Sequence, residues 1–210
     1  RVTVGAKYLL NLARAHLPQK HWRKLTLAPL GVDTQLFSPT PNPSRTGRGV
    51  TIVNVGSLTP VKGQATLLRA VTSIPQAHLR IVGDGPLREE LQQLAAELGI
   101  ANRVEFLGEI DHGQLPSVYR AADIFVQASR HEAQGVAALE AAACGLPVVG
   151  TNVGILPEIG RAVPARDVAS LAEVIRRTLN EGGASAREKV EADFSLARAM
   201  EKLFALYNGE

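Results

Sequence analysis

The sequence predicts an α/β protein, an open, doubly wound parallel sheet with helices on both faces. Two observations carry that expectation. Five short runs rich in β-branched and aromatic residues begin at positions 51, 78, 103, 124 and 147, at intervals of 21 to 27 residues. Each interval holds an amphipathic stretch with apolar residues at helical spacing. Apolar strands that alternate with helices are covered on both faces, which is the pattern of a parallel sheet.

The strand candidates are Thr51–Val55, His78–Val82, Arg103–Leu107, Ile124–Ala128 and Pro147–Thr151, each followed by Gly, Ser or Asn. The helices between them are expected over Gly63–Thr72, Pro86–Leu98, Gln114–Ala122 and Val136–Ala143. Ahead of the sheet, a strand-like Val2–Gly5 and an apolar-periodic helix over Ala6–Leu17 lead into Asn42–Gly49, a Pro/Gly/Ser-rich basic stretch of the kind that joins domains. Residues 1–47 therefore read as the last βα element of a preceding domain plus a linker, and 48–190 as the sheet domain. Asp167–Asn180, Ala184–Asp193 and Ser195–Tyr207 read as three helices, with Ser195 as an N-cap. Residues 191–210 carry the last of these, with an apolar stripe at Leu196, Met200, Leu203, Phe204 and Tyr207 that would pack on a neighbour.

Of the 210 residues, 45 % are hydrophobic and 20 % charged, which excludes a disordered or fibrous chain. No apolar run reaches the roughly 18 residues of a spanning helix. The formal net charge is only +3 and aromatic content is 4 %, so a basic cluster at Arg14, Lys20, Arg23 and Lys24 reads as a solvated face and no nucleic-acid partner is expected. The single Cys144 cannot form an internal disulfide and no signal peptide opens the chain, so a cytoplasmic setting is expected. Arg1 opens the sequence and its only methionine is Met200, so a processed chain or part of a longer one is expected.

In an open α/β sheet, ligands bind beyond the carboxyl ends of the strands. After the first strand, Gly56-Ser57-Leu58-Thr59-Pro60-Val61-Lys62-Gly63 is a small-residue turn that would let a phosphate approach, with Lys62 adding charge before a helix, although a plain glycine turn with an exposed lysine reads equally. Gly83-Asp84-Gly85-Pro86 lacks a dinucleotide fingerprint and reads as a tight turn, with Asp84 as N-cap and Pro86 as the first helical residue. After the fourth strand, Glu132 precedes a helix beginning near Gly135, and Glu140 lies in its second turn, roughly 7 Å along the axis from Gly135. The amides of Gly135 and Val136 at that N-terminus favour an anion. Glu140 could then accept ribose hydroxyls and Glu132 face a sugar, an arrangement suited to a nucleoside diphosphate sugar, although two solvated acids at this spacing also arise by chance. Gly154 to Ile159 follows the fifth strand, with Pro157-Glu158 opening a short helix. His131 and His112 are acid/base candidates, His131 the better for its position beside Glu132. No His/Cys spacing suggests a metal site.

In family order, Pro29-Leu30-Gly31-Val32-Asp33, VGSLTPVKGQATLLRA (55–70), IVGDGPLREEL (81–91), VEFLG (104–108), LPSVYRAADIFVQAS (115–129), HEAQGVAALEAAACGLPVVGTNVG (131–154) and PEI (157–159) resemble the retaining group 1 (family 4) glycosyltransferases. The resemblance covers about 130 residues and implies the Rossmann-like C-terminal, donor-binding half of a two-domain GT-B enzyme. It implies that Lys62 holds the donor diphosphate, that Gly56 and Ser57 line the site, that the amides around Gly135 and Val136 cradle a phosphate, and that Glu132 and Glu140 are the two acids of an E-x7-E motif. Glu132 would lie near the transferred sugar as the catalytic residue and Glu140 on the ribose. Three departures stand out: Ser57 where many members have arginine, Ala133-Gln134 where Gly-Phe is usual, and Leu30 for a usual asparagine.

The resemblance thus implies transfer of a hexosyl group from a nucleoside diphosphate sugar to an acceptor in glycan, glycolipid or polysaccharide synthesis. Retention would follow a same-face, leaving-group-assisted course, since only one carboxylate lies near the scissile bond, without metal or other cofactor. The acceptor site would come from an N-terminal half absent here, on which the last helix would pack back and through which the enzyme could associate with the inner face of the membrane. The 210 residues alone are expected to bind nucleotide with little or no transferase activity. The alternatives are a non-catalytic nucleotide-binding module of the same fold and a GT-B nucleotide-sugar epimerase.

Overall fold

The computed structural model describes residues 2–39, 49–181 and 186–208. The chain opens with β1 (Val2–Val4), α1 (Lys7–His16) and β2 (Leu25–Leu27), whose two strands pair in parallel as a small sheet of their own. The main sheet comprises β3 (Val50–Val55), β4 (Ala77–Val82), β5 (Val104–Gly108), β6 (Ile124–Gln127), β7 (Val148–Thr151) and β8 (Arg161–Val163). All its pairings are parallel, in the order β5-β4-β3-β6-β7-β8. Counted from β3, that is the 3-2-1-4-5-6 order of a doubly wound Rossmann-like sheet.

The strand residues dictate this burial. Ile52 pairs with Ile124 and Val53 with Phe125, and all four are fully buried, alternating between the two faces. Ile52 and Ile124 join the core beneath α2 (Gln64–Thr72), α3 (Arg88–Glu97) and α7 (Val168–Glu181). Val53 and Phe125 join the opposite core, beneath α4 (Leu115–Arg120), α5 (Val136–Ala143), α6 (Leu156–Ile159) and α8 (Arg187–Phe194). Both faces are thus covered, as the sequence pattern requires. α5 is rich in alanine, and its residues 138–143 are all buried, which lets the helix lie close on the sheet.

The five anticipated strands all form. β8 and β2 escaped notice because each has only three residues, too few to establish a period. Pro86 is not the first helical residue, and Asp84 is not an N-cap. The amide of Leu87 donates to the Leu58 carbonyl, holding this stretch to the loop after β3 and delaying α3 to Arg88. Asp84 accepts instead from the Gly85 amide at 2.7 Å and the Arg88 guanidinium at 3.2 Å. Of the anticipated linker, residues 42–48 lie outside the described residues, as do 184 and 185 at the start of the anticipated helix 184–193.

The last helix, α9 (Leu196–Asn208), buries none of its side chains. Leu203, Phe204 and Tyr207 are 59 %, 61 % and 88 % exposed, and with Thr3 they border an apolar pocket of about 410 Å³. Its start is tied to the chain's opening unit: Val32 N donates to Phe194 O, and Leu196 N to Val32 O.

Candidate functional site

The order of strands reverses between β3 and β6, so the loops that leave these neighbours part to opposite sides and open a crevice. Residues 56–63 and 128–135 form its walls. Gly63 lets them meet: it adopts φ +67°, and a Cβ there would lie 2.2 Å from the Ala128 carbonyl. The Arg130 amide donates to Val61 O across the same contact. Lys62, at the end of a 3-10 turn over Pro60–Lys62, is thereby carried to Glu132, with Nζ 2.7 Å from Oε1. Ser129 Oγ donates to the same oxygen at 2.8 Å, and Ser129 O accepts from Thr151 Oγ1 on β7. Lys62 keeps two further N–H bonds beyond the one Glu132 uses.

Beyond Glu132 the loop enters α5 through Gly135, at φ +92°; a Cβ there would lie 3.0 Å from Oε1 of Gln127. The first amides of α5 have no carbonyl a turn earlier to accept them. Beside them, buried Gln127 Nε2 finds no partner among the described residues. A half-buried lysine, a helix N-terminus and an unpaired amide together form an environment for an anion.

Glu140 lies one turn further along α5, 5 % exposed. Its Oε2 accepts from the hydroxyl of fully buried Tyr119 at 2.8 Å, and its Oε1 lies 2.9 Å from His112 Nε2. Burial, reinforced by the charge and the hydrogen bond of Glu140, holds the Tyr119 hydroxyl proton well above the usual phenol range. His112 is exposed and, with Gly56, Ser57, Asp84, Ile110 and Leu115, lines a pocket of about 460 Å³ beyond the ends of β3, β4 and β5.

Lys62, Glu132, Gly135 and Val136 are therefore gathered at the switch point, and Gly56 and Ser57 line the adjoining pocket. Glu140 reaches that pocket only through His112, so its carboxylate is already engaged at both oxygens rather than open. Of the two histidines, His112 is the one on a site carboxylate. His131 instead turns to α1, with Nδ1 3.1 Å from the Tyr8 hydroxyl. Sequence reasoning missed Ser129, Tyr119 and Gln134. Tyr119 had left a signal: a tyrosine at a core position of a short helix implies a buried partner for its hydroxyl.

A family model described as glycosyl transferases group 1 matches residues 42–193. Among curated relatives, a GDP-mannose-dependent alpha-(1-6)-phosphatidylinositol monomannoside mannosyltransferase of Mycobacterium tuberculosis is 34 % identical over 216 residues, spanning 89 % of this chain and 56 % of the relative. A D-inositol 3-phosphate glycosyltransferase of Mycolicibacterium smegmatis is 37 % identical over 199 residues, spanning 85 % and 46 %. The chain thus spans about half the length of the curated relatives it matches. Sucrose-phosphate synthase from Thermosynechococcus elongatus shares the fold with a TM-score of 0.85 at 30 % identity, over 99 % of this chain and 57 % of that one. Anabaena Alr3699/HepE, solved in complex with UDP and glucose, gives a TM-score of 0.87 at 22 % identity, over 100 % and 63 %, a likeness of fold. The matched stretch takes in the whole six-stranded sheet and the crevice at its switch point, and the chain belongs to the group 1 glycosyltransferases.

Proposed function

We propose that the chain is the donor-binding half of a retaining hexosyltransferase that takes a nucleoside diphosphate sugar. One observation carries this reading: a cation, a helix N-terminus and a buried carboxylate lie in sequence across one crevice, from Lys62 past Gly135 to Glu140. The nucleoside fills the pocket lined by Gly56, Ser57 and His112, and its ribose takes the place of His112 at Oε1 of Glu140. The diphosphate takes the amides of Gly135 and Val136 and the ammonium of Lys62, and the sugar lies toward Glu132. The HepE structure with bound UDP and glucose supports a nucleotide in a fold of this kind.

In this reading the bond from the anomeric carbon to the diphosphate oxygen breaks, and the leaving group keeps the electron pair. Lys62 and the N-terminus of α5 stabilise that developing charge, the contribution that dominates many such sites. The acceptor oxygen attacks from the same face and its proton passes to the departing diphosphate, so configuration is retained. Glu132, held by Lys62 and Ser129, orients a sugar hydroxyl. An N-terminal half beyond this chain supplies the acceptor site and covers the exposed face of α9, and without it transfer is slight. A reducing, cytoplasmic setting suits the buried free thiol of Cys144.

Calorimetry with UDP, GDP and ADP tests the donor site. At least one should bind, and Lys62→Met should weaken it about tenfold, the equivalent of one charge-assisted hydrogen bond. Failure of all three to bind, or a Lys62→Met variant that binds as tightly as the parent, overturns the reading.

A further inference from the structure

Two of the three departures from the family pattern, at residues 30 and 134, meet in the structure. The Leu30 amide donates to Gln134 Oε1 at 2.7 Å, and Gln134 Nε2 donates back to Leu30 O at 2.8 Å. One side-chain amide thus satisfies both polar groups of one backbone residue, as a neighbouring strand would. Gln134 is 3 % exposed, and its own carbonyl accepts from the Ile155 amide at 2.6 Å. The surroundings are built to this amide. A Cβ on Gly5 would lie 2.6 Å from Oε1, and a Cβ on Gly154 would lie 2.4 Å from Gln134 O and 2.8 Å from Glu132 Cβ.

Gln134 sits between Glu132 and Gly135, so whatever fixes it fixes the loop that carries both the carboxylate on the sugar side and the helix N-terminus on the diphosphate side of the site. The strap it grips runs from β2 to Val32, which is bonded to the junction of α8 and α9. We infer that Gln134 is a positioning residue: its amide sets the 132–135 loop against residue 30, and so aligns Glu132 and the α5 N-terminus for the phosphates and sugar of the donor. This rests on the donor-site reading above. The pair of bonds needs a side-chain amide, because leucine offers neither donor nor acceptor and a carboxylate cannot donate to Leu30 O. Glu140 lies beyond the first turn of α5 and is held by Tyr119 from another helix, so the nucleoside end of the site does not depend on Gln134.

The experiment compares UDP or GDP, whichever the wild-type chain binds, with the matching nucleoside, uridine or guanosine, followed by NMR titration. In Gln134→Leu the diphosphate should bind about tenfold more weakly, the loss of one or two hydrogen bonds that hold the loop, while the nucleoside changes less than about twofold. Leu30→Pro, which removes the donated N–H and leaves Gln134 in place, should reproduce the effect. Leu30→Ala, which keeps the backbone, should leave both ligands unchanged. Equal losses for nucleoside and diphosphate in Gln134→Leu and Leu30→Pro, as general unfolding would cause, overturn the inference, as does unchanged diphosphate binding in both. A wild-type chain that binds no nucleotide overturns the donor-site reading itself and this inference with it.

Discussion

The two acids of the site sit eight residues apart and are held in opposite ways. Glu132 belongs to a loop and is held by charge: Lys62 at 2.7 Å from the other wall of the crevice, with Ser129 at its side. Glu140 belongs to a helix and is held by burial: Tyr119 and His112 at its oxygens, and alanines packed around it on the sheet. Both of Glu132's neighbours come from loops that leave the sheet, and its side chain, 11 % exposed, is nearly as enclosed as that of Glu140 at 7 %, so the contrast lies in the partners: an ammonium and a hydroxyl from loops against a phenol in the core. Glu140 stands on α5 within the core and pairs with the fully buried Tyr119 hydroxyl, so removing its carboxyl group leaves that hydroxyl without its partner. The difference teaches that one sequence motif can join a carboxylate held between two loops to one built into the core.

Substitutions should separate the two. Glu140→Ala has the largest expected effect, since it opens a cavity and strands the Tyr119 hydroxyl in the core, a cost of about 3 kcal/mol in urea unfolding. Glu140→Gln keeps an acceptor for Tyr119 and should lose about 1 kcal/mol or less. A Glu140→Ala variant as stable as the parent would place Glu140 with Glu132 and end the contrast. At the other acid, Lys62→Met leaves the Glu132 carboxylate, 11 % exposed, with Ser129 as its partner, and should cost about 2 kcal/mol in the same measurement. Its main expected effect is on diphosphate binding. A larger loss of stability than Glu140→Ala would reverse the assignment.

The sequence made the sheet legible because its strands are long apolar runs and its helices amphipathic, and those patterns follow from burial on two faces. β8 was illegible because three residues carry no period. In the candidate site, the meeting of Lys62, Glu132, Gly135 and Val136 was legible because all four stand in the loops after β3 and β6, which the strand pattern brings to one edge of the sheet. The parts of Tyr119 and Gln134 were not, and His112 was ranked behind His131, because these depend on contacts over 21, 104 and 28 residues of chain that no local pattern records. Ala133-Gln134 and Leu30 each looked like an isolated departure, and only the folded chain brings Gln134 and Leu30 together.

A pH-dependent effect appears in alkali and sharpens the contrast further, since Tyr119 and Cys144 both stand beside Glu140. Burial raises the Tyr119 hydroxyl well above its usual range, and burial pushes the nearby Cys144 thiol up to about 11. Both groups are held neutral in the fold and ionise more readily when unfolded. Their contribution to stability is therefore complete below the unfolded values and lost as pH rises, from about 9 to 11 for the thiol and above about 10 for the phenol. Each group removes up to about 1.4 kcal/mol per pH unit within its window. Urea midpoints measured from pH 8 to 11 should fall for the parent. Cys144→Ala should flatten the fall from pH 9, and Tyr119→Phe from pH 10, although the latter starts lower by the lost hydrogen bond to Glu140. If Tyr119→Phe and Cys144→Ala lose stability with pH as steeply as the parent, the neutral groups around Glu140 are not what the core holds in place.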